Sequence, residues 1–143
     1  ILRILDHAAI LVLIAGTYTP ITLVSLHGPW GWTLFAVIWG LALLGIVLEI
    51  TRLRRFRGAL ISLYVIMGWA VVAAVKPMLR NVDSGGLWLL LAGGIAYTGG
   101  IAFYLWHRLP YHHAIWHLFV LAGSVLHYFA ILLYVIPVAN TTG

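Results

Sequence analysis

The chain is patterned as five long apolar stretches separated by short polar ones. Residues 4–25, 32–50, 57–75, 87–104 and 114–136 are nearly free of charge, and each stretch is 18 to 23 residues long. At a rise of 1.5 Å per residue, about 20 helical residues cross the roughly 30 Å of hydrocarbon in a bilayer. The apolar residues occupy every side of these stretches. Strands of a closed barrel would alternate over about 10 residues instead. Breakers mark the separators: His27-Gly28-Pro29, the charged run 51–56, Pro77 with Asp83-Ser84-Gly85-Gly86, and Pro110. The pattern predicts an all-α polytopic transmembrane helix bundle, a single transmembrane domain over 1–143, whose five spans alternate in direction.

Composition sharpens that reading by exclusion. The chain is 64% hydrophobic and 8% charged, against about 45–50% and 25% in soluble domains, so it cannot cover a water-facing surface. The absence of cysteine excludes disulfides, Cys-ligated metals and a thiol nucleophile. The net charge of +5 does not indicate nucleic acid, which needs a basic face on a soluble fold. Here the basic residues sit between apolar runs. Alternating spans put Arg3, Arg52, Arg54, Arg55, Arg57 and Arg108 on the side of the N-terminus, and Lys76 and Arg80 on the other. That bias predicts a cell-membrane protein with a cytoplasmic N-terminus and an extracytoplasmic C-terminus. The chain begins at Ile1 without Met, shows no signal-peptide pattern and holds an odd number of spans. The expectation is a piece of a longer protein.

Ionisable side chains within the spans call for an explanation, because an Asp at a helix centre costs about 2.5–3.5 kcal/mol on the insertion scale. Three groups stand out: Asp6-His7, the run from His112 to His117, and His127. Spans one and five enter from the same side, so Asp6, His113 and His117 are expected at one depth near the cytoplasmic leaflet. Residues 113 and 117 are four apart, which stacks their imidazoles on one helix face. That spacing suits a two-histidine zinc site. It also suits interfacial histidines bonded to water or lipid phosphate, and the Asp expected at the same depth weighs toward the metal. His112 points elsewhere. His127 lies about 21 Å from His113 along the helix, too far to share a metal; a hydrogen bond to Thr17, Thr19, Ser62 or Tyr64 is the favoured reading over a proton relay. His7 is expected beside the site or at the interface, and His27 and His107 in solvated loops.

Other features read as structural. Pro20 should kink the first span, with Thr17 and Thr19 hydroxyls available to the released carbonyl. Ala92, Ala96 and Gly100 form a small-residue stripe suited to close helix packing. Trp30, Trp32, Trp88, Trp106 and Tyr111 suit interfacial belts.

The stretch Leu5-Asp6-His7-Ala8-Ala9-Ile10, continuing to Gly16-Thr17-Tyr18-Thr19-Pro20, resembles the third transmembrane helix of the bacterial hemolysin III family. His113-Ala114-Ile115-Trp116-His117, continuing through Gly123-Ser124 to His127-Tyr128, resembles its seventh. The family is grouped with the adiponectin-receptor-like (progestin and adipoQ receptor) seven-helix proteins. The resemblance implies that the five spans are helices 3–7 of that fold. It also implies a zinc ion near the cytoplasmic side, held by His113, His117 and a histidine of an earlier helix, with Asp6 joined through water.

A metal so placed would suit hydrolysis of a lipid amide or ester, with Asp6 as general base and membrane lipids as the partners. Relatives in this superfamily are similar to ceramidases in the arrangement. Two alternatives accompany this reading. One is the membrane-lysing, pore-forming activity behind the family name, and the other a receptor-like protein with a structural zinc. Haem between histidines is a further reading, testable by colour.

Overall fold

A computed structural model describes residues 2–51 and 57–141, which include every predicted span; Arg52, Arg54 and Arg55 of the basic cluster lie outside the described residues. The described residues form helices and no strands: α1 (Leu2–Pro20), α2 (Gly28–Ile50), α3 (Arg57–Trp69), α4 (Val75–Asn81), α5 (Ser84–Leu105), α6 (His112–Ala130) and α7 (Ile136–Thr141). Five helical runs among them are long and apolar enough to cross a membrane: Leu2–Ser25, Gly28–Ile50, Gly58–Asn81, Ser84–Leu105 and His112–Val135. The fold is all-α and polytopic, as the apolar pattern predicts. The chain divides into two compact units, Ile1–Pro77 and Met78–Gly143.

Prolines within the spans adjoin departures from α-helix. Pro20 precedes a π-helical turn at Ile21–Ser25, and another at Ile131–Val135 lies just before Pro137. The third span runs through Pro77 instead of ending there, after a 3-10 segment at Ala70–Ala74. A proline lacks the amide hydrogen and crowds the carbonyl four residues back, so the ladder shifts its bonding nearby. Hydroxyls bond to carbonyls near Pro20: Thr17 to Ile14, Thr19 to Ala15, and Thr22 to both Tyr18 and Thr19. The neighbours of the released Gly16 carbonyl are served, rather than that carbonyl itself.

In the first unit, α1 and α2 pack along matched stripes. The buried residues of α1 are His7, Ile10, Leu11, Ile14, Ala15 and Tyr18. Those of α2 are Gly31, Leu34, Ile38, Ala42, Gly45 and Glu49. Both follow the three-and-four spacing of one helix face. The helices run antiparallel: a Cβ at Gly45 would lie 2.7 Å from Leu11 Cδ1, and one turn beyond, His7 meets Glu49. Trp39 Nε1 donates to Thr19 Oγ1 at 3.1 Å. The Tyr18 hydroxyl donates to the Gly68 carbonyl and accepts from the Val71 amide, both at 3.0 Å. It thereby serves backbone groups where α3 gives way to the 3-10 segment.

In the second unit, α5 packs on α6 and the π-helical turn after it. The close approach uses Gly86, Gly93 and Gly100, all buried, and not the predicted stripe of Ala92, Ala96 and Gly100. A seven-residue step keeps these glycines on one face. A Cβ at Gly93 would collide with the His127 ring and lie 3.1 Å from the Gly123 carbonyl, and one at Gly100 would lie 2.8 Å from Phe119 Cβ. Aromatic rings close the seam nearer the connecting loop, with Phe103 stacked on Phe119 and Tyr104 tilted against Trp116. Large apolar residues such as Val37, Leu43, Val47, Ile95, Leu118 and Leu121 are exposed on the outer faces, and so are Trp30, Trp32, Trp88, Trp106 and Tyr111 at helix ends and in the loop before α6. That outer surface suits lipid tails, with the aromatic rings where belts are expected.

Candidate metal centre

The histidine pair is positioned by the start of α6. Pro110 ends the preceding loop, and Tyr111 takes a left-handed backbone with φ of 61°. Its carbonyl accepts the Ile115 amide at 3.0 Å, which starts the helix with His112 in the first turn. His113 and His117 then stand one turn apart, with Nε2 atoms 3.0 Å from each other and ring centroids separated by 4.7 Å. Trp116 packs against both rings, at centroid distances of 5.2 and 4.7 Å. His113 is exposed and His117 half-buried.

Two nitrogens each about 2.0–2.1 Å from one tetrahedral zinc ion would lie about 3.3 Å apart. The observed 3.0 Å separation needs only a small ring adjustment to match. The two imidazoles are therefore able to hold a metal ion from one side, as the i, i+4 spacing predicts.

The remaining predicted residues are distributed as follows. Asp6 lies in the second turn of α1 in the first unit and is half-buried. His7 is buried, with Nδ1 3.2 Å from Glu49 Oε1 and its ring edge-on to Tyr64 at 6.4 Å. His127 does make a hydrogen bond across a helix seam, but to a different partner from those expected. Its Nε2 donates to the Leu90 carbonyl at 3.1 Å. A glycine at position 93 lets the ring approach α5 closely enough to reach that carbonyl. Tyr97 stands edge-on to the same ring and its hydroxyl lies 2.9 Å from Ser124 Oγ. His27 and His107 are exposed, and the rings of His107 and His112 lie 5.4 Å apart.

Glu49 is the residue that reading by sequence missed. It is 2% exposed, on a helix long enough to cross a membrane. Its signal was present: position 49 continues the buried spacing of Ala42 and Gly45 on α2, so a carboxylate there must face a neighbouring helix.

Helices long and apolar enough to span lipid, with exposed apolar faces and polar groups met by internal partners, define a multi-pass membrane protein of helical type. The family model described as Haemolysin-III related matches residues 1–128, and the chain belongs to that family. Hemolysin-3 of Bacillus cereus is 55% identical over 137 residues, covering 96% of this chain and 63% of that protein. The Hemolysin-3 homolog of Bacillus subtilis (strain 168) is 49% identical over 138 residues, 96% of this chain and 65% of that protein. Monocyte to macrophage differentiation factor of Homo sapiens is 32% identical over 127 residues, 88% of this chain and 52% of that protein. The chain thus spans less than two thirds of the length of these relatives. No solved structure matches it.

Proposed function

We propose that the protein hydrolyses a lipid amide or ester at a zinc centre near the cytoplasmic leaflet, built on His113 and His117 with Asp6 as the carboxylate. The observation that carries the reading is the Nε2 pair, 3.0 Å apart at the start of a membrane-length helix. Neutral imidazole nitrogens suit zinc, and a carboxylate suits a third direct or water-bridged position. Membership of the Haemolysin-III related family supports the reading. So does the expected topology, in which α1 and α6 both enter from the cytoplasmic side and share a level.

A zinc ion held there supplies Lewis acidity toward a carbonyl oxygen and acidifies water at neutral pH. Asp6 takes a proton from the attacking water and passes it to the departing amine or alcohol, so the acyl bond breaks as the new C–O bond forms. His113 and His117 stay neutral as ligands, and Trp116 between them limits the rotation of both rings. The apolar outer faces admit the substrate's acyl chain from the bilayer.

The experiment uses the whole protein purified in detergent. His113→Ala and His117→Ala are each expected to weaken zinc affinity more than about 100-fold, since changes to outer partners alone cost 10–100-fold. Asp6→Ala is expected to keep most of the zinc and lose hydrolysis of a fluorescent fatty-acid amide. Unchanged zinc in both histidine variants would overturn the metal centre. Full turnover in the Asp6 variant would remove Asp6 as the base.

A second reading comes from the printed name of the bacterial relatives, Hemolysin-3, which suggests membrane lysis. A pore needs polar groups along the whole membrane thickness. Dye release from liposomes that is equal for the native protein and His117→Ala, with no turnover in either, would favour lysis.

A further inference from the structure

We infer that Glu49 is a positioning residue for Asp6, acting through His7. The inference rests on the reading of Asp6 as the carboxylate of a metal centre. Burying a carboxylate on a membrane-length helix is costly, and apolar residues of similar volume often replace a buried ion pair without loss of stability. The seam between α1 and α2 does not depend on this pair for its area: Leu11, Ile14, Ala15 and Tyr18 already pack there with Leu34, Ile38 and Ala42, all buried. What the pair adds is direction.

The pair is placed where direction matters. The first turns of α1 carry backbone amides without intrahelical partners, and helix ends of this kind fray. Leu2 and Leu5 there are exposed, so apolar packing does not hold that turn. His7 is the first buried residue of α1 and Glu49 the last of α2. The Nδ1–H of His7 points at Glu49 Oε1, 3.2 Å away, and the edge of Tyr64 faces the imidazole. A hydrogen bond is sensitive to rotation in a way that an apolar contact is not. Holding His7 therefore sets the azimuth of α1 at this turn, and Asp6, one residue earlier and about 100° around the helix, inherits it.

The test exploits the absence of cysteine. Single substitutions Ile4→Cys, Leu5→Cys, Asp6→Cys, Ala8→Cys and Ala9→Cys are placed in the whole protein in membranes, and maleimide labelling rates are read. With Glu49 present, the rates are expected to follow helical period. Glu49→Met, close in volume and unable to accept, is expected to abolish that periodicity. Glu49→Gln, whose amide oxygen still accepts from His7, is expected to preserve it. Should the Met variant not fold, His7→Phe removes the same bond and is read in its place. Periodic labelling in Glu49→Met, or its equal loss in both Glu49 variants, would overturn the inference.

On purified protein, Glu49→Met is expected to lower kcat for lipid-amide hydrolysis about tenfold, the scale of a lost supporting contact, with zinc content and KM unchanged and Glu49→Gln restoring turnover. Labelling depends on neither zinc nor turnover. A native protein without turnover therefore overturns the enzymatic reading, while the labelling still decides the role of Glu49.

Discussion

In the first unit, the ionisable pair lies at one end of a helix seam and is buried: His7 with Glu49, 6% and 2% exposed. In the second unit, the deeper histidine is bonded to a backbone carbonyl, while His113 and His117 stand at the start of α6, exposed and half-buried. Both seams place glycine where helices approach most closely, Gly45 in one and Gly93 and Gly100 in the other. They differ in what the close approach protects. In the first it carries a directional polar contact to the end of a helix, and in the second it brings His127 within reach of α5. The comparison separates polar groups whose partners are built into their own seam from a pair on the surface of its helix with lone pairs suited to a metal.

The largest expected effect comes from breaking the buried pair on one side only. His7→Ala leaves Glu49 without this donor, and is expected to cost about 2 kcal/mol or more, measured by unfolding in mixed micelles. His113→Ala, on an exposed residue, should leave the zinc-stripped protein nearly as stable as the native one. Equal losses in the two variants would erase the distinction between the units.

Overpacking the second seam comes next. Gly93→Val is expected to cost about 1–3 kcal/mol, because its Cβ meets the His127 ring and the Gly123 carbonyl. Gly94→Ala, one residue on, meets nothing within 4 Å and should be close to neutral in the same assay. The smallest effect is expected from Ser124→Ala, which removes the contact with the Tyr97 hydroxyl. Hydrogen bonds between membrane helices average about 0.6 kcal/mol, so the loss should approach the limit of detection. A loss as large as that of Gly93→Val would mean that the cluster of Tyr97, Ser124 and His127 acts as one unit.

Much of the fold was legible because lipid imposes a simple rule. A segment that must satisfy its own backbone hydrogen bonds over a fixed thickness has to be a long apolar helix, and five such segments can be read by eye. Span ends were less legible. Pro77 marks a boundary in sequence, yet the helix continues through it after a 3-10 segment. The glycine face of α5 was misassigned for a related reason: small residues recur at several spacings along that span, and only the facing helix selects among them. The i, i+4 histidines were legible, since both lie on one element and helical geometry alone brings their nitrogens together. Glu49 was not, because its partner is 42 positions away in the chain.

The amino-acid sequence by itself determined that this protein is a bundle of membrane-length helices, that it belongs with the hemolysin III family, and that His113 and His117 share a helix face. These follow from local spacing, composition and motif. Only the tertiary structure decided that His7 meets Glu49, that His127 donates to Leu90, and that Gly86, Gly93 and Gly100 form the close-packing face. Each of these depends on which side of one helix meets which side of another. That choice is made by side-chain shape along the whole seam, and no single stretch of the chain encodes it.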